Sequence, residues 1–300
     1  MAGSRSDLSV EVFLILRSVF FTPEGGPQSY ALRDKRNTQD DPFDEYVAKL
    51  LREGLPEGVS CEVAPGPLIT PDMVVLRSDL CLASTRAQLL HSVTLIVGLE
   101  VKKLERTAGG AVARASGMDY NTTPPCGTMR IYDVQKRPLD IRGFYLFVCQ
   151  EPEDRDRHYR LSALALCDGN ILNDDFEYYL SVVGERRKEV GLGSYGNGAD
   201  RARPMVIFAN PLGAAALDRR VTLMHLSGAL EQESNRLRRV GGIRRMRPGG
   251  GESLFHCYRL VDDVPAGHTD FDLVDPFPAP ERLERTQPRG RFRIAIEPID

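Results

Sequence analysis

Lysine is scarce in this sequence: six lysines stand against 33 arginines among its 39 basic residues. Arginine is the better two-pronged partner of phosphates and guanine edges, although a GC-rich genome that favours arginine codons is the main expected source of the bias. Cysteine is sparse and unclustered. The six lie at 61, 81, 126, 149, 167 and 257, with no CxxC and no zinc spacing to histidine, which excludes a zinc module. Cys149 and Cys167 fall in apolar runs and are predicted to be buried thiols, in keeping with a reducing compartment. The histidines at 91, 158, 225, 256 and 268 show no metal-binding spacing either.

Other absences narrow the chemistry. No Gly-x-Ser-x-Gly elbow is present, which argues against a serine hydrolase of that kind. Gly191 to Gly198 is glycine-rich but lacks the Gly-Lys-Ser/Thr ending of a phosphate loop, so it is expected to be a flexible turn. The longest early apolar run, Val12 to Phe21, is interrupted by Arg17 and too short to span a membrane. Acidic residues before it do not suit a signal peptide, and the chain is expected to be cytoplasmic. Net charge is −3, with 42% apolar and 27% charged residues, ordinary values for a globular protein.

Two short strand-like runs carry charge where a strand should have none. One is Ile69 to Leu76, with Pro71 and Asp72 near its start; the other is Leu95 to Lys103, with Glu100, Lys102 and Lys103. A carboxylate or ammonium on a half-buried strand is costly unless it is paired or binds a metal. Glu100 and Lys102 are two apart and leave the same face of a strand. If the two runs are sheet neighbours, Asp72, Glu100 and Lys102 converge. Such carboxylates suit a hard divalent cation.

The chain has one Pro-Asp pair, Pro71-Asp72, and one (Asp/Glu)-x-Lys triplet, Glu100-Val101-Lys102, which begins 28 residues after Asp72. Together they resemble the signature of the PD-(D/E)xK nucleases, best known from type II restriction endonucleases; the resemblance covers about Phe43 to Tyr132. It implies an α/β fold with a central mixed β-sheet flanked by helices on both faces, five-stranded in the family. It implies that Asp72, Glu100 and the carbonyl of Val101 hold Mg2+, with Mn2+ as a substitute, and that Lys102 helps generate the attacking hydroxide. The implied activity is sequence-specific cleavage of double-stranded DNA leaving a 5′-phosphate, by a homodimer with a cognate DNA methyltransferase as genetic partner. Alternatives are a nuclease of the same fold in repair or junction cleavage, or a non-catalytic DNA-binding protein.

The rest of the chain is read as one domain over 1–300, with a core at about 40–210 and an α/β elaboration at 211–300. Leu8 to Phe21 is a buried strand or helix. Asp41-Pro42 opens a helix over Phe43 to Leu55, whose Glu45 is read first as a solvated helix charge and second, by the resemblance, as a further metal ligand. Val59 to Val63 is a strand, and Ser84 to His91 a short helix or strand extension. Residues 104–116 are expected to be mobile. Ile141 to Gln150 and Tyr159 to Cys167 are neighbouring strands. Asp174 to Arg187 and Ala214 to Gln232 are expected helices, Pro204 to Ala209 a buried strand, and Leu254 to Val261 and Arg291 to Ile296 late strands. The stretch 117–130 has neither helical nor strand period and is expected to be a rigid loop. Its Asn121, Thr122, Thr123 and Arg130 are candidate base-reading residues, and Lys103 a candidate backbone contact. Six arginines between Arg236 and Arg247 are either a DNA grip or a solvated surface.

Overall fold

The computed structural model describes residues 5–37, 41–65, 71–78, 80, 89, 92–106, 110, 112, 118–121, 127–154, 156–172, 192–195, 199–204, 206–246 and 251–276. Helix α1 (Leu8–Phe20) starts where Asp7 accepts a hydrogen bond from the Ser9 amide at 2.8 Å, satisfying a helix-start donor. Its Leu8, Phe13, Leu16 and Phe20 are fully buried, as in a helix covered on most sides. Arg17, also buried, donates to the Phe21 and Thr22 carbonyls and pairs with Asp263. Helix α2 (Pro42–Gly54) is capped by Asp41, whose side chain accepts from the Phe43 amide at 3.0 Å. Phe43, Val47 and Leu51 bury one face completely, contributing roughly 1.5–3 kcal/mol each.

Both helices lie on one face of a large mixed sheet. Its strands are β1 (Ser29–Ala31), β2 (Val59–Val63), β3 (Met73–Arg77), β4 (Ile96–Glu105), β6 (Thr128–Tyr132), β7 (Pro138–Pro152), β8 (His158–Asp168), β12 (Val221–His225), β13 (Leu237–Met246), β14 (Glu252–Leu260) and β15 (Phe271–Val274). The spatial order is β15-β13-β14-β12-β8-β7-β4-β3-β2, with β1 on β8 and β6 on β7. The pairs β4/β7, β8/β12 and β13/β15 are parallel and the others antiparallel. Two hairpin-like pairs stand apart: β9 (Leu192–Tyr195) with β10 (Ala199–Pro204), and β5 (Met118–Asn121) with β11 (Val206–Ala209). The class is α/β with few helices. Alternation along the strands divides the core in two. Val97, Leu99, Phe144, Leu146 and Leu223 face α1 and α2, whereas Ile96, Tyr145, Phe147, Ala165 and Cys257 face away.

Several expectations are corrected. The main sheet has eleven strands, against the five of the resembled family's sheet, and the C-terminal strands β12 to β15 continue it. Among the described residues no long helix covers the second face; its buried side is filled by Met129, Leu212 and Leu217. Ala214 to Gln232 is not mostly helical: β12 occupies its middle, and only α3 (Leu230–Glu233) is a helix. Between β8 and β14 a fully buried strand outweighs local helix propensity. The Gly191 to Gly198 turn contains strand β9, and the 117–130 loop contains β5 and β6, each held by a partner strand rather than by its own period. The arginine cluster is the strand β13, where Arg245 is buried. Cys149 and Cys167 are buried thiols. Most of Ser84 to His91, most of 104–116, all of Asp174 to Arg187 and all of Arg291 to Ile296 lie outside the described residues. No helix among the described residues is long and apolar enough to cross a membrane.

Gly98 and Gly143 sit side by side in the β4/β7 register and make a notch for Met129. A Cβ at position 98 would stand 2.9 Å from Met129 Sδ and 3.2 Å from Pro71 Cγ, the residue before Asp72. Gly98→Ala is therefore expected to cost about 1–3 kcal/mol through overpacking. In a Met129→Ala background the same change should cost less. Urea unfolding across that double-mutant cycle measures the coupling, and strictly additive costs would contradict the notch.

Candidate active site

Strand β4 outruns its neighbour β3. The last register pair is Met73 with Leu99, while β4 continues to Glu105 against β7 on its other side. From Glu100 onward one edge of β4 has no strand partner among the described residues. Asp72, just before β3, takes that place: its Oδ2 accepts the Val101 amide at 2.7 Å. In a strand the amide and carbonyl of one residue leave from the same edge, so the carbonyl of Val101 also faces this opening.

The alternation of β4 then sorts its charges. Glu100 and Lys102 lie on the face away from the helices, and Lys102 Nζ donates to Glu100 Oε1 at 2.8 Å. Glu100 is 5% exposed. Its second oxygen, Oε2, is buried and has no hydrogen-bond partner among the described residues, a position that ordinarily costs more than 1–3 kcal/mol for a charged group. Lys103 lies on the opposite face, as its place in the strand predicts. Its Nζ donates to both oxygens of Asp41 at 2.8 and 2.7 Å, so the residue that caps α2 also ties α2 to β4.

Helix α2 brings a further acid. Asp44 in its first turn is pushed up to about 8, first by burial and then by the Asp72 and Asp41 carboxylates, with Lys103 opposing. Asp72 is pushed up to about 7, first by burial and then by Glu100, with Lys102 and the Val101 amide opposing. Glu45 turns outward as a solvated helix charge, where Arg33 and Arg36 pair with it. Asp44 was not singled out by sequence. The signal was its spacing of four to Ala48 and seven to Leu51, both buried, whereas Glu45 shares its face with exposed Lys49.

The structure thus gathers Asp72, Glu100 and Lys102, and adds Asp41 and Asp44. Four carboxylates face two ammonium groups, an excess of two negative charges that protons or a divalent cation would offset. Among the described residues no three His, Cys, Asp or Glu side chains already stand at metal-ligand range; one oxygen each of Glu100 and Asp72 is taken by Lys102 and the Val101 amide. The donor set still fits a hard cation: every available atom is an oxygen, and the buried Glu100 Oε2 lacks any partner.

The candidate DNA contacts do not gather here. Lys103 is occupied by Asp41. Arg130 is exposed on β6 and forked onto Asp140 at 2.7 and 2.9 Å. The partner of Arg130 in register, Asp140, lies five residues along β7 from Tyr145, which faces Glu100, roughly 16 Å toward the other end of the sheet. Asn121 pairs with Val206 through the backbone; its side chain, with Thr122 and Thr123, lies outside the described residues.

The raised carboxyls make stability depend on pH. A carboxyl whose folded pKa lies above its ordinary 3.8 stabilises the fold fully below that value, and the contribution is lost as pH rises through the folded pKa. In EDTA the protein is expected to lose stability between about pH 4 and 8. Asp44→Asn should flatten that loss, and Mg2+ should restore stability to the wild type at high pH. Urea unfolding across this range checks it; a wild-type protein that gains stability with pH would contradict the site.

No family model matches the chain, and the curated proteins and solved structures give no match to it.

Proposed function

We propose that this protein is a Mg2+-dependent endonuclease of double-stranded DNA, similar to the PD-(D/E)xK restriction enzymes. The observation that carries the reading is the meeting of Asp72, Glu100 and Lys102 on the open edge of β4, with Glu100 Oε2 left without a partner. The five adjacent strands β2-β3-β4-β7-β8 form a mixed sheet with the charged residues at its middle strand, which supports a restriction-endonuclease-like core inside the larger sheet.

Asp72, Glu100 and the Val101 carbonyl would hold Mg2+, with Asp44 as a fourth acid. When bound, the ion makes a water more acidic and offsets charge on the phosphoryl oxygens. The protein's own part is orientation. The Val101 amide fixes Asp72. Glu100 holds Lys102 in a nearly buried position, 14% exposed, from which its ammonium can hold a water against a phosphorus or steady a phosphoryl oxygen. Asp41 keeps Lys103 off that face. A two-fold DNA site would call for a homodimer, with a methyltransferase protecting the host's own sites.

Plasmid digestion tests the reading. With Mg2+ or Mn2+ the wild type is expected to give discrete fragments, and none in excess EDTA. Ca2+ should permit binding without cleavage. Asp72→Asn and Lys102→Ala should lower the rate by roughly 10²–10³ or more, while Asp72→Asn keeps a wild-type unfolding midpoint or a higher one. Cleavage by Lys102→Ala at the wild-type rate sinks the assignment. Nicking that follows DNA structure instead of sequence would move the protein to repair or junction cleavage, and binding without any cleavage to a non-catalytic role.

A further inference from the structure

A second charged site lies at the same end of the sheet. Lys102 faces Phe147 of β7, Phe147 faces Ala165 of β8, and Ala165 faces Thr222 of β12. Thr222 is therefore in the same row as Lys102, three strands away, or roughly 14 Å. Thr222 Oγ1 accepts from Arg259 Nε at 3.2 Å, and the Ala216 carbonyl accepts from Arg259 Nη2 at 2.7 Å. Arg259 is 5% exposed and lines a cavity of about 590 Å3, with Arg219 and Arg220 at its mouth. Among the described residues none of these three guanidinium groups has a carboxylate in ion-pair contact.

The acids of the cavity are largely engaged elsewhere. Glu151 is held by Arg106 at 3.0 Å and Arg160 at 3.1 Å, and Asp263 by Arg17. Glu24 and Asp262 remain at the exposed rim. Burial and the nearby Arg220 lower the pKa of Arg259, the mark of a desolvated cation beside a second one. The turn before β12 is fixed from the catalytic-type strand itself: Arg106, next after β4, pairs with Asp218 at 2.7 Å. Its neighbour Arg219 adopts a left-handed backbone, φ 53°, a conformation that favours glycine and is often kept for a functional side chain.

We propose that Arg219, Arg220 and Arg259 bind backbone phosphates of the same duplex whose scissile phosphate lies at Lys102. Guanidinium forks match phosphate oxygens in pairs. At about 3.4 Å of rise per phosphate along one strand, a span of roughly 14 Å reaches about four base steps. The distance fits a duplex lying across this end of the sheet, touching the acidic site and the arginine cavity together. The inference rests on the nuclease reading for its geometry, but its binding chemistry is measured separately.

The experiment is fluorescence anisotropy of a labelled DNA duplex, in Ca2+, across a salt series, with wild type, Arg219→Gly, Arg220→Ala and the double variant. Both side chains are exposed, and glycine suits the left-handed turn, so unfolding midpoints should be unchanged or higher. The double variant should bind roughly tenfold or more weakly, and its slope of log K against log salt should fall by about 2. Unchanged affinity and slope, or a wild type that binds no duplex, overturns the proposal. A nucleoside monophosphate or inorganic phosphate that binds as tightly as the duplex also overturns it, in favour of a free-phosphate site. Failure of the nuclease reading looks different: the expected salt slopes, with plasmid left uncut in Mg2+, keep the arginine site and remove the catalysis.

Discussion

The structure depends on one mismatch of length: β4 runs past the end of β3. Had the two strands ended together, the Val101 amide would have bonded to a backbone carbonyl, and Glu100 would have faced a continuous sheet. Because β3 stops at Met73, Asp72 bonds that amide with its side chain, and a carboxylate enters the sheet's own hydrogen-bond ladder. The rest follows from desolvation. Asp72 and Asp44 are driven toward their protonated forms, and Glu100 keeps an oxygen with nothing to bond. A fold optimised for stability alone would place apolar groups here. Unbalanced buried charge of this kind occurs at functional sites as well as in structural ion networks, and it supports the proposed cation site.

The same end of the sheet joins this site to the arginine cavity. Parallel pairing of β4 with β7 and of β8 with β12, with β7 and β8 antiparallel, brings the C-terminal ends of β4 and β7 and the N-terminal ends of β8 and β12 to one side. Arg106 spans the gap, bonding Ser162 at 2.9 Å and pairing with Glu151 and Asp218. Glu100 and Lys102 on β4 and Arg259 on β14 are therefore held by one sheet, so their separation is set by strand spacing, whereas Arg219 and Arg220 are placed by the turn before β12.

Much of the site was legible in the sequence because strand geometry has a fixed period. Glu100 and Lys102, two apart on an apolar run, had to share a face, and Lys103 the other. Asp41-Pro42 had to start a helix. The misses have physical causes. Asp44 escaped notice beside Glu45: one residue is about a quarter-turn of helix, enough to move a side chain from the sheet to solvent. The arginines of β13 concealed a strand because a bulge between Arg239 and Gly241 breaks its alternation. Val221 to His225 is buried on both faces and so showed no alternation at all. Arg259 in β14, Arg219 in its turn and Arg106 beyond β4 come to one end of the sheet only through the register of five strands, β4, β7, β8, β12 and β14, which no local pattern encodes.

The central claim is that the acids on the open edge of β4 form a divalent-cation site. Manganese titration followed by the electron paramagnetic resonance of the free aqueous ion tests it without reference to cleavage. The wild type should bind Mn2+ saturably and release it to excess Mg2+, and Asp72→Asn should lose that binding. Equal Mn2+ binding by the wild type and Asp72→Asn, or none by the wild type with DNA present, would contradict the account.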